Sequence, residues 1–351
     1  MDTPGTPKPI YEQQPVALST LYGDLENFAR AQAQIHTGTA GNVVERTNAG
    51  GYKFYAHQYY DALGKKVDRY IAGPVGNPEA DSKAAEVRDR ISALNEAVKT
   101  IRLLIREGFK HVDSKTYATI ATLHNQSLFR AGAMLIGSHA YGGLLNQLGV
   151  RAAQYATQDV DIARSAQLAF DPPRELSFLE VLKSSGIAFI EVPNLDSRRP
   201  STSFKEAGKS FFQVDLLVPS ADEDIGVVAV PELKAHATSL PYLQYLLGKT
   251  QETAILAREG CCMAATPTPE RFAWHKLIVS QLRKRGDKAL KDVEQAAVLM
   301  AALSEHHPGA LEEAAEAIPL SVKKYVRKAA VAARERLQAH PRALELIDAT
   351  S

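Results

Sequence analysis

Three aspartates set within or beside apolar runs constrain this chain more than any other feature of its sequence. Asp159 and Asp161 flank Val160, and Asp215 interrupts the apolar run of residues 211–218. Because successive side chains of a strand point to opposite faces, Asp159 and Asp161 are expected on the same face. Carboxylates on a hydrophobic strand are costly unless a cation neutralises them. The pattern therefore predicts a shared cation site.

Oxygen ligands of this kind suit Mg²⁺ or Mn²⁺, and such ions usually serve phosphoryl or nucleotidyl transfer. The pair Gly137 and Ser138 follows a short apolar run and precedes a helical pattern over residues 140–148. Glycine lets the backbone approach a phosphate, and a helix N-terminus offers N–H groups to an anion. Taken singly, such features are more often a turn, a surface loop or a helix cap. Asp215 is harder to explain in that way, since it would be buried without a partner.

Length and composition are those of an ordinary globular protein, with 351 residues, 45% hydrophobic and 23% charged. The net charge of +1 means that any basic surface must be local. The two cysteines, Cys261 and Cys262, are adjacent, which excludes a disulfide framework and favours a reducing cytosol. We expect a cytoplasmic protein with no membrane partner, because no signal segment or membrane-length apolar run is visible. A secreted protein without a classical signal would look the same.

Composition and periodicity predict four regions and an α/β (α+β) fold class. Residues 1–17 are Pro-rich and predicted to be a disordered tail, and residues 18–112 form helices with an aromatic β-hairpin. Residues 113–235 mix helix and strand patterns, which predicts a small mixed sheet flanked by helices. Beyond Pro231 the pattern turns helical, and residues 236–351 are predicted to be a C-terminal helical domain.

These residues resemble a known family. A Gly-Ser after a strand, an Asp-x-Asp strand and a later lone Asp on a strand are the signature of the DNA polymerase β-like nucleotidyltransferase superfamily. The wider pattern is similar to a bacterial nucleotidyltransferase-like group with an aromatic hairpin and a downstream P-x-P-E-R-F-A-x-H-K-L segment, here residues 267–277. The resemblance covers residues 50–305. One departure is the insertion between Ser138 and Asp159, which is longer than is usual in the superfamily.

The resemblance implies a polymerase β-like nucleotidyltransferase core that moves NMP from an NTP to an acceptor and releases pyrophosphate. It implies Mg²⁺ or Mn²⁺ as cofactor, and it makes three acids both catalytic and metal-binding: Asp159, Asp161 and Asp215. Phosphate is expected to bind at five positions: Gly137, Ser138, Lys276, Arg283 and Lys291. For the three cations among them, exposed helix charges are the alternative. His139 is either a further phosphate contact or a surface or capping histidine.

Aromatic and basic residues alternate in the predicted hairpin at residues 51–74. The aromatic ones are Tyr52, Phe54, Tyr55, Tyr59, Tyr60 and Tyr70, and the basic ones are Lys53, His57, Lys65, Lys66 and Arg69. Such a surface can stack on bases and bind phosphates, which makes RNA a candidate acceptor, whereas packing on a helix or a dimer contact is the alternative. Three hypotheses stay open: an active nucleotidyltransferase, an idle module of that fold that binds nucleic acid or a protein, and a tRNA-modifying toxin or defence enzyme, which rests on fold analogy alone.

Overall fold

A computed structural model describes residues 7–153, 157–171, 177–194, 196, 198–221, 224–284 and 286–350. Its α-helices are α1 (Val16–Ala31), α2 (Pro78–Arg106), α3 (Ser114–Asn125), α4 (Gly137–Gln147), α5 (Phe178–Lys183), α6 (Leu243–Leu247), α7 (Pro269–Ser280), α8 (Gly286–His306), α9 (Ala310–Glu316), α10 (Lys323–Arg336) and α11 (Pro341–Thr350). Its strands are β1 (Glu12–Gln13), β2 (Asn42–Thr47), β3 (Lys53–Tyr60), β4 (Lys66–Ala72), β5 (Ala133–Ile136), β6 (Val150–Arg151), β7 (Asp159–Arg164), β8 (Phe189–Glu191), β9 (Ser203–Glu206), β10 (Gln213–Pro219), β11 (Gly226–Val230), β12 (Ala235–Leu240), β13 (Thr250–Ala257) and β14 (Gly260–Pro267). The predicted mixed fold class is confirmed.

A mixed sheet holds the strands that carry the aspartates. Its order is β11-β12-β10-β7-β5, and β9 pairs with both β10 and β8. Strands β7, β10 and β12 run parallel to one another, whereas β5 and β9 are antiparallel to their neighbours. Val160 of β7 and Val214 of β10 are fully buried on one face of this sheet. Alternation therefore places the aspartates of both strands on the opposite face.

The N-terminal region is a three-stranded antiparallel sheet, β2-β3-β4, packed against α2. The hairpin predicted at residues 51–74 is confirmed as β3 and β4, and β2 adds a third strand that we did not predict. Helix α2 begins at a cap formed by the side chain of Asn77, which accepts hydrogen bonds from the backbone N–H groups of Glu79 and Ala80. Pro78 occupies the first helical position, where no N–H is needed.

The C-terminal helices pack around α7, which contacts α8, α9 and α10. Its residues are buried on nearly every side, and Trp274 is fully buried with its indole N–H donating to the Leu311 carbonyl. A helix enclosed in this way carries charges only where partners are provided. Its buried Lys276 is therefore held by a specific partner, which is described below. Within the described residues, no helix is long and apolar enough to cross a membrane.

Part of the predicted disordered tail is ordered. Residues 1–6 lie outside the described residues, but strand β1 pairs with β6, and Tyr11 is buried. The Tyr11 hydroxyl donates a 2.5 Å hydrogen bond to Glu305, and the Ile10 N–H donates to His340. These contacts with the C-terminal helices offset the conformational entropy that favours disorder in a Pro-rich segment.

The interpretation of the chain beyond Pro231 as helical is wrong for residues 235–240, 250–257 and 260–267, which form strands β12 to β14, whereas residues 243–247 between them are the helix α6. Strand β12 pairs with β10 and β11 in the central sheet, and β13 and β14 form an antiparallel hairpin. Residues 253–257 of β13 and most of β14 are buried without alternation. A strand buried on both faces lacks the period-two signal, and an Ala-rich one resembles a helix in composition. Cys261 and Cys262 lie in this hairpin as buried free thiols, as expected of small core residues.

Candidate functional site

The three aspartates converge on one face of the central sheet. Asp161 on β7 lies directly opposite Asp215 on the parallel strand β10, and Asp159 lies opposite Gln213. Neighbouring strands are about 4.8 Å apart, so the carboxylates of Asp161 and Asp215 are close neighbours. Asp159 is exposed at the beginning of β7, while the other two are half-buried. The predicted convergence of these acids is therefore present in the fold.

The acids are electrostatically coupled. Burial, followed by repulsion from Asp215 and Asp159, raises the pKa of Asp161 to about 7, although Lys276 and Arg283 oppose this shift. The pKa of Asp159 is also raised, by burial and then by Asp215, against the effect of Lys288 and Lys291. Carboxylates that repel one another in this way gain stability from a shared cation.

Two neighbouring side chains orient Asp215. The Ser203 hydroxyl, opposite Asp215 on β9, donates a 2.5 Å hydrogen bond to Oδ1. The Gln213 amide donates 3.0 Å hydrogen bonds to Oδ1 and Oδ2. Sequence reasoning missed both residues. Gln213 could have been found, because it lies two positions before Asp215 and so shares its face, whereas Ser203 depends on the pairing of β9 with β10.

Gly137 brings a helix N-terminus against the acids. Its φ of +71° is one that glycine adopts readily, and a Cβ at this position would lie 2.0 Å from Oδ2 of Asp161. Helix α4 begins at Gly137 itself, three residues before the predicted start. The preceding residue, Ile136, is the strand partner of Asp161. The glycine therefore allows a close approach to a carboxylate, and its approach to a phosphate stays a prediction.

Lys276 and Arg283 share one buried carboxylate. Lys276 Nζ donates a 2.6 Å hydrogen bond to Oδ1 of Asp292, and Arg283 Nε donates a 2.9 Å hydrogen bond to Oδ2. Burial would raise the pKa of Asp292, but these two cations outweigh it and lower the pKa. The alternative that Lys276 is an exposed helix charge is wrong, because Lys276 is buried. The Arg283 side chain is 43% exposed, so the corresponding alternative stays open for Arg283. Asp292 was missed because its partners are known only from the packing of α7 on α8.

Lys291 joins the helical domain to the glycine turn. Its ammonium donates a 2.8 Å hydrogen bond to the Ser138 hydroxyl. Burial, followed by repulsion from Lys276, lowers the pKa of Lys291, while Asp292 and Asp161 act in the opposite direction. Ser138 and Lys291, predicted separately as phosphate ligands, are therefore in direct contact.

His139 is neither on the surface nor a cation. It is buried, and its Nε2 has no hydrogen-bond partner among the described residues. Burial lowers the pKa of His139 to about 4, with Lys291 adding to the effect and Asp113 opposing it. A neutral imidazole of this kind contributes no positive charge to phosphate binding. The alternative that His139 is a surface histidine is wrong, because its side chain is buried.

The oxygen donors of the three aspartates are chemically suited to a hard divalent cation. Carboxylate oxygens on one face are the donor set that Mg²⁺ and Mn²⁺ prefer, and burial followed by repulsion from Asp215 raises the pKa values of Asp159 and Asp161. The described part of the chain contains no group of three or more His, Cys, Asp or Glu side chains already arranged to hold a metal ion. The acids are therefore gathered by the sheet but do not form a closed ligand set by themselves.

The fold is of the nucleotidyl-transferring class. It combines a sheet that carries acids, a helix that begins at a glycine, and cations on α7 and α8. A family model described as Nucleotidyltransferase matches residues 114–319, more than half of the chain and the segment that contains all of these features. The protein belongs to this nucleotidyltransferase family. No curated protein and no solved structure matches the chain.

Proposed function

We propose that this protein is a metal-dependent nucleotidyltransferase that transfers NMP from an NTP to an acceptor and releases pyrophosphate. The observation that carries the proposal is the position of Asp161 opposite Asp215 on parallel strands, with Asp159 on the same face. Family membership supports nucleotidyl transfer in general, and the acids supply the oxygen donors that a metal-dependent version needs.

Asp159, Asp161 and Asp215 would hold Mg²⁺ or Mn²⁺. When bound, such an ion polarises the phosphoryl oxygens and lowers the pKa of the attacking hydroxyl. The acceptor oxygen then bonds to the α-phosphorus, the bond from that phosphorus to its bridging oxygen breaks, and pyrophosphate leaves with the electron pair. The Asp215 carboxylate, whose two oxygens accept hydrogen bonds from Ser203 and Gln213, would accept the hydroxyl proton.

The remaining residues bind the triphosphate. The N-terminus of α4 and the Ser138 hydroxyl offer donors to phosphate oxygens, and the lysine at position 291 adds positive charge beside them. Lys276 and Arg283 stabilise the negative charge that develops on the leaving pyrophosphate. Asp292 holds both cations near the acids, so that little reorganisation is needed when the nucleotide binds.

The test is incubation with each labelled NTP and Mg²⁺ or Mn²⁺, with total RNA, the protein itself and small hydroxyl compounds as acceptors. We expect acceptor-dependent pyrophosphate release to fall by at least about a hundredfold in Asp159→Asn, Asp161→Asn and Asp215→Asn. Asp24→Asn, an exposed aspartate on α1, is the control and should retain activity. Release that persists unchanged in all three site variants would reject the proposal.

A second function, an idle module that binds nucleic acid or a protein partner without turnover, is favoured by one observation. The described acids do not form a closed ligand set. The pyrophosphate assay separates the two functions, since an idle module releases no pyrophosphate for any NTP and acceptor tested.

A further inference from the structure

The sheet β2-β3-β4 has one covered face and one open face. Tyr55 on β3 is buried with Ala80 and Ala84 of α2, and its hydroxyl donates to Asp81. This confirms the helix-packing alternative for Tyr55. Because side chains alternate, the even-numbered residues of β3 point away from α2. The face that α2 does not cover is therefore the one to which Phe54, Gln58 and Tyr60 of β3 point; it is called the open face below.

The open face carries a cluster of aromatic rings, of which Tyr52 and Tyr70 are exposed and Phe54 is half-buried. The Phe54 ring centroid lies 5.5 Å from that of Tyr70 and 6.4 Å from that of Tyr52. Tyr70 is 58% exposed and Tyr52 is 40% exposed. Tyr60, at the other end of β3, is exposed on the same face. Large rings grouped together in solvent mark a binding surface.

Polar and basic groups separate these rings. Arg46 donates to Asp68, and Asp68 also accepts from Gln58, so the three side chains form a hydrogen-bonded bridge across the face. Lys66 lies opposite Tyr60, and Lys65 is exposed in the adjoining turn. The apolar centre of a protein–protein interface is depleted of charged residues, whereas rings interspersed with bases suit stacked nucleobases and their phosphates.

We propose that the open face of the β2-β3-β4 sheet binds single-stranded nucleic acid, with bases stacked on Tyr70, Tyr52 and Phe54 and with phosphates near Lys65 and Lys66. The ligand must be single-stranded because a duplex hides the base faces that the rings would contact. A further step, that the bound strand is the acceptor of the NMP group, rests on the proposed function.

Binding is measured by fluorescence anisotropy of a labelled RNA or DNA strand of about twenty nucleotides, without NTP or metal. We expect Tyr70→Ala to weaken binding about tenfold or more, and Tyr70→Phe to restore it because the ring is kept. Lys66→Glu should weaken binding and reduce the slope of log affinity against log salt by about one, while Tyr70→Ala should leave that slope unchanged. Lys328→Glu, an exposed charge reversal on α10, is the control and should bind like the wild type.

Several outcomes would overturn the inference: no binding to either strand, equal competition by a duplex, or unchanged affinity in Tyr70→Ala when circular dichroism shows a folded protein. Capture of a protein partner that Tyr70→Ala loses, without any affinity for single strands, would assign the surface to protein instead. RNA and DNA strands of one sequence show which nucleic acid is preferred.

The acceptor step is tested separately by label transfer from NTP to the bound strand. Strand binding without transfer would leave the surface in place and remove only the acceptor role. If the protein transfers NMP to another acceptor but binds no strand, the nucleic-acid surface is rejected and the proposed function stands.

Discussion

Lys276 on α7 donates a 2.6 Å hydrogen bond to Asp292 on α8, whose side chain is 3% exposed. The same carboxylate accepts a hydrogen bond from Arg283. One buried anion therefore joins two helices and holds two cations whose charges act on Asp161. We therefore expect an anion in this position to affect both the stability of the helical region and the proposed binding of a triphosphate.

Asp292→Asn is expected to lower the free energy of unfolding by about 3 kcal/mol, because it leaves a buried lysine without its counter-charge. The measurement is urea denaturation followed by circular dichroism. Asp348→Asn, which breaks the exposed pair with Arg334, is the matched control and should cost less than about 1 kcal/mol. In activity assays on protein that remains folded, Asp292→Asn should raise KM for NTP. Equal stability losses in the two variants would contradict this account.

Asp161→Asn is expected to abolish nucleotidyl transfer while keeping or raising the melting temperature. Burial and two neighbouring carboxylates oppose the charge on this residue, so a neutral amide relieves repulsion in the metal-free protein. Thermal unfolding without divalent ions measures this effect directly. A clear loss of stability on this substitution would show that the charge of Asp161 is compensated in the metal-free protein.

Gly137→Ala should destabilise the fold and reduce activity more than Gly186→Ala. Both glycines have positive φ, +71° and +86°, so each substitution carries a backbone cost of about 1 kcal/mol. Only at Gly137 would the new Cβ meet Asp161, whereas it meets nothing within 4 Å at Gly186. Parallel denaturation curves give the excess cost, and identical curves would argue against the close approach.

The stability of the protein should fall as the pH decreases below 6.5, partly because of His275. Burial, followed by the positive charge of Lys276, lowers the pKa of His275 from 6.5 to about 3, against the opposing effect of Asp292; Arg283 lowers it further. The unfolded chain takes up a proton below pH 6.5 and the folded chain does not, so this residue removes up to about 1.4 kcal/mol per pH unit between 6.5 and 3. His275→Gln should flatten the pH dependence of the unfolding free energy in this range. An unaltered slope would contradict the prediction.

Features that depend on local spacing were predictable from the sequence. Alternation along a strand places Asp159 and Asp161 on one face wherever that strand lies in the fold. The glycine at the first position of α4 and the helices predicted within residues 18–112 are equally local, and the structure has a helix at each of these places. The roles of the site residues in catalysis and phosphate binding stay predictions.

What only the tertiary structure decided is which partner each charged side chain meets. Asp292 is sixteen residues from Lys276, and the contact exists because α7 packs against α8. Ser203 reaches Asp215 only through the pairing of β9 with β10. Strands β13 and β14 were missed for a related reason: burial on both faces removes the alternation that identifies a strand. Periodicity records which side of an element is buried, but the identity of the facing residue depends on how the elements pack.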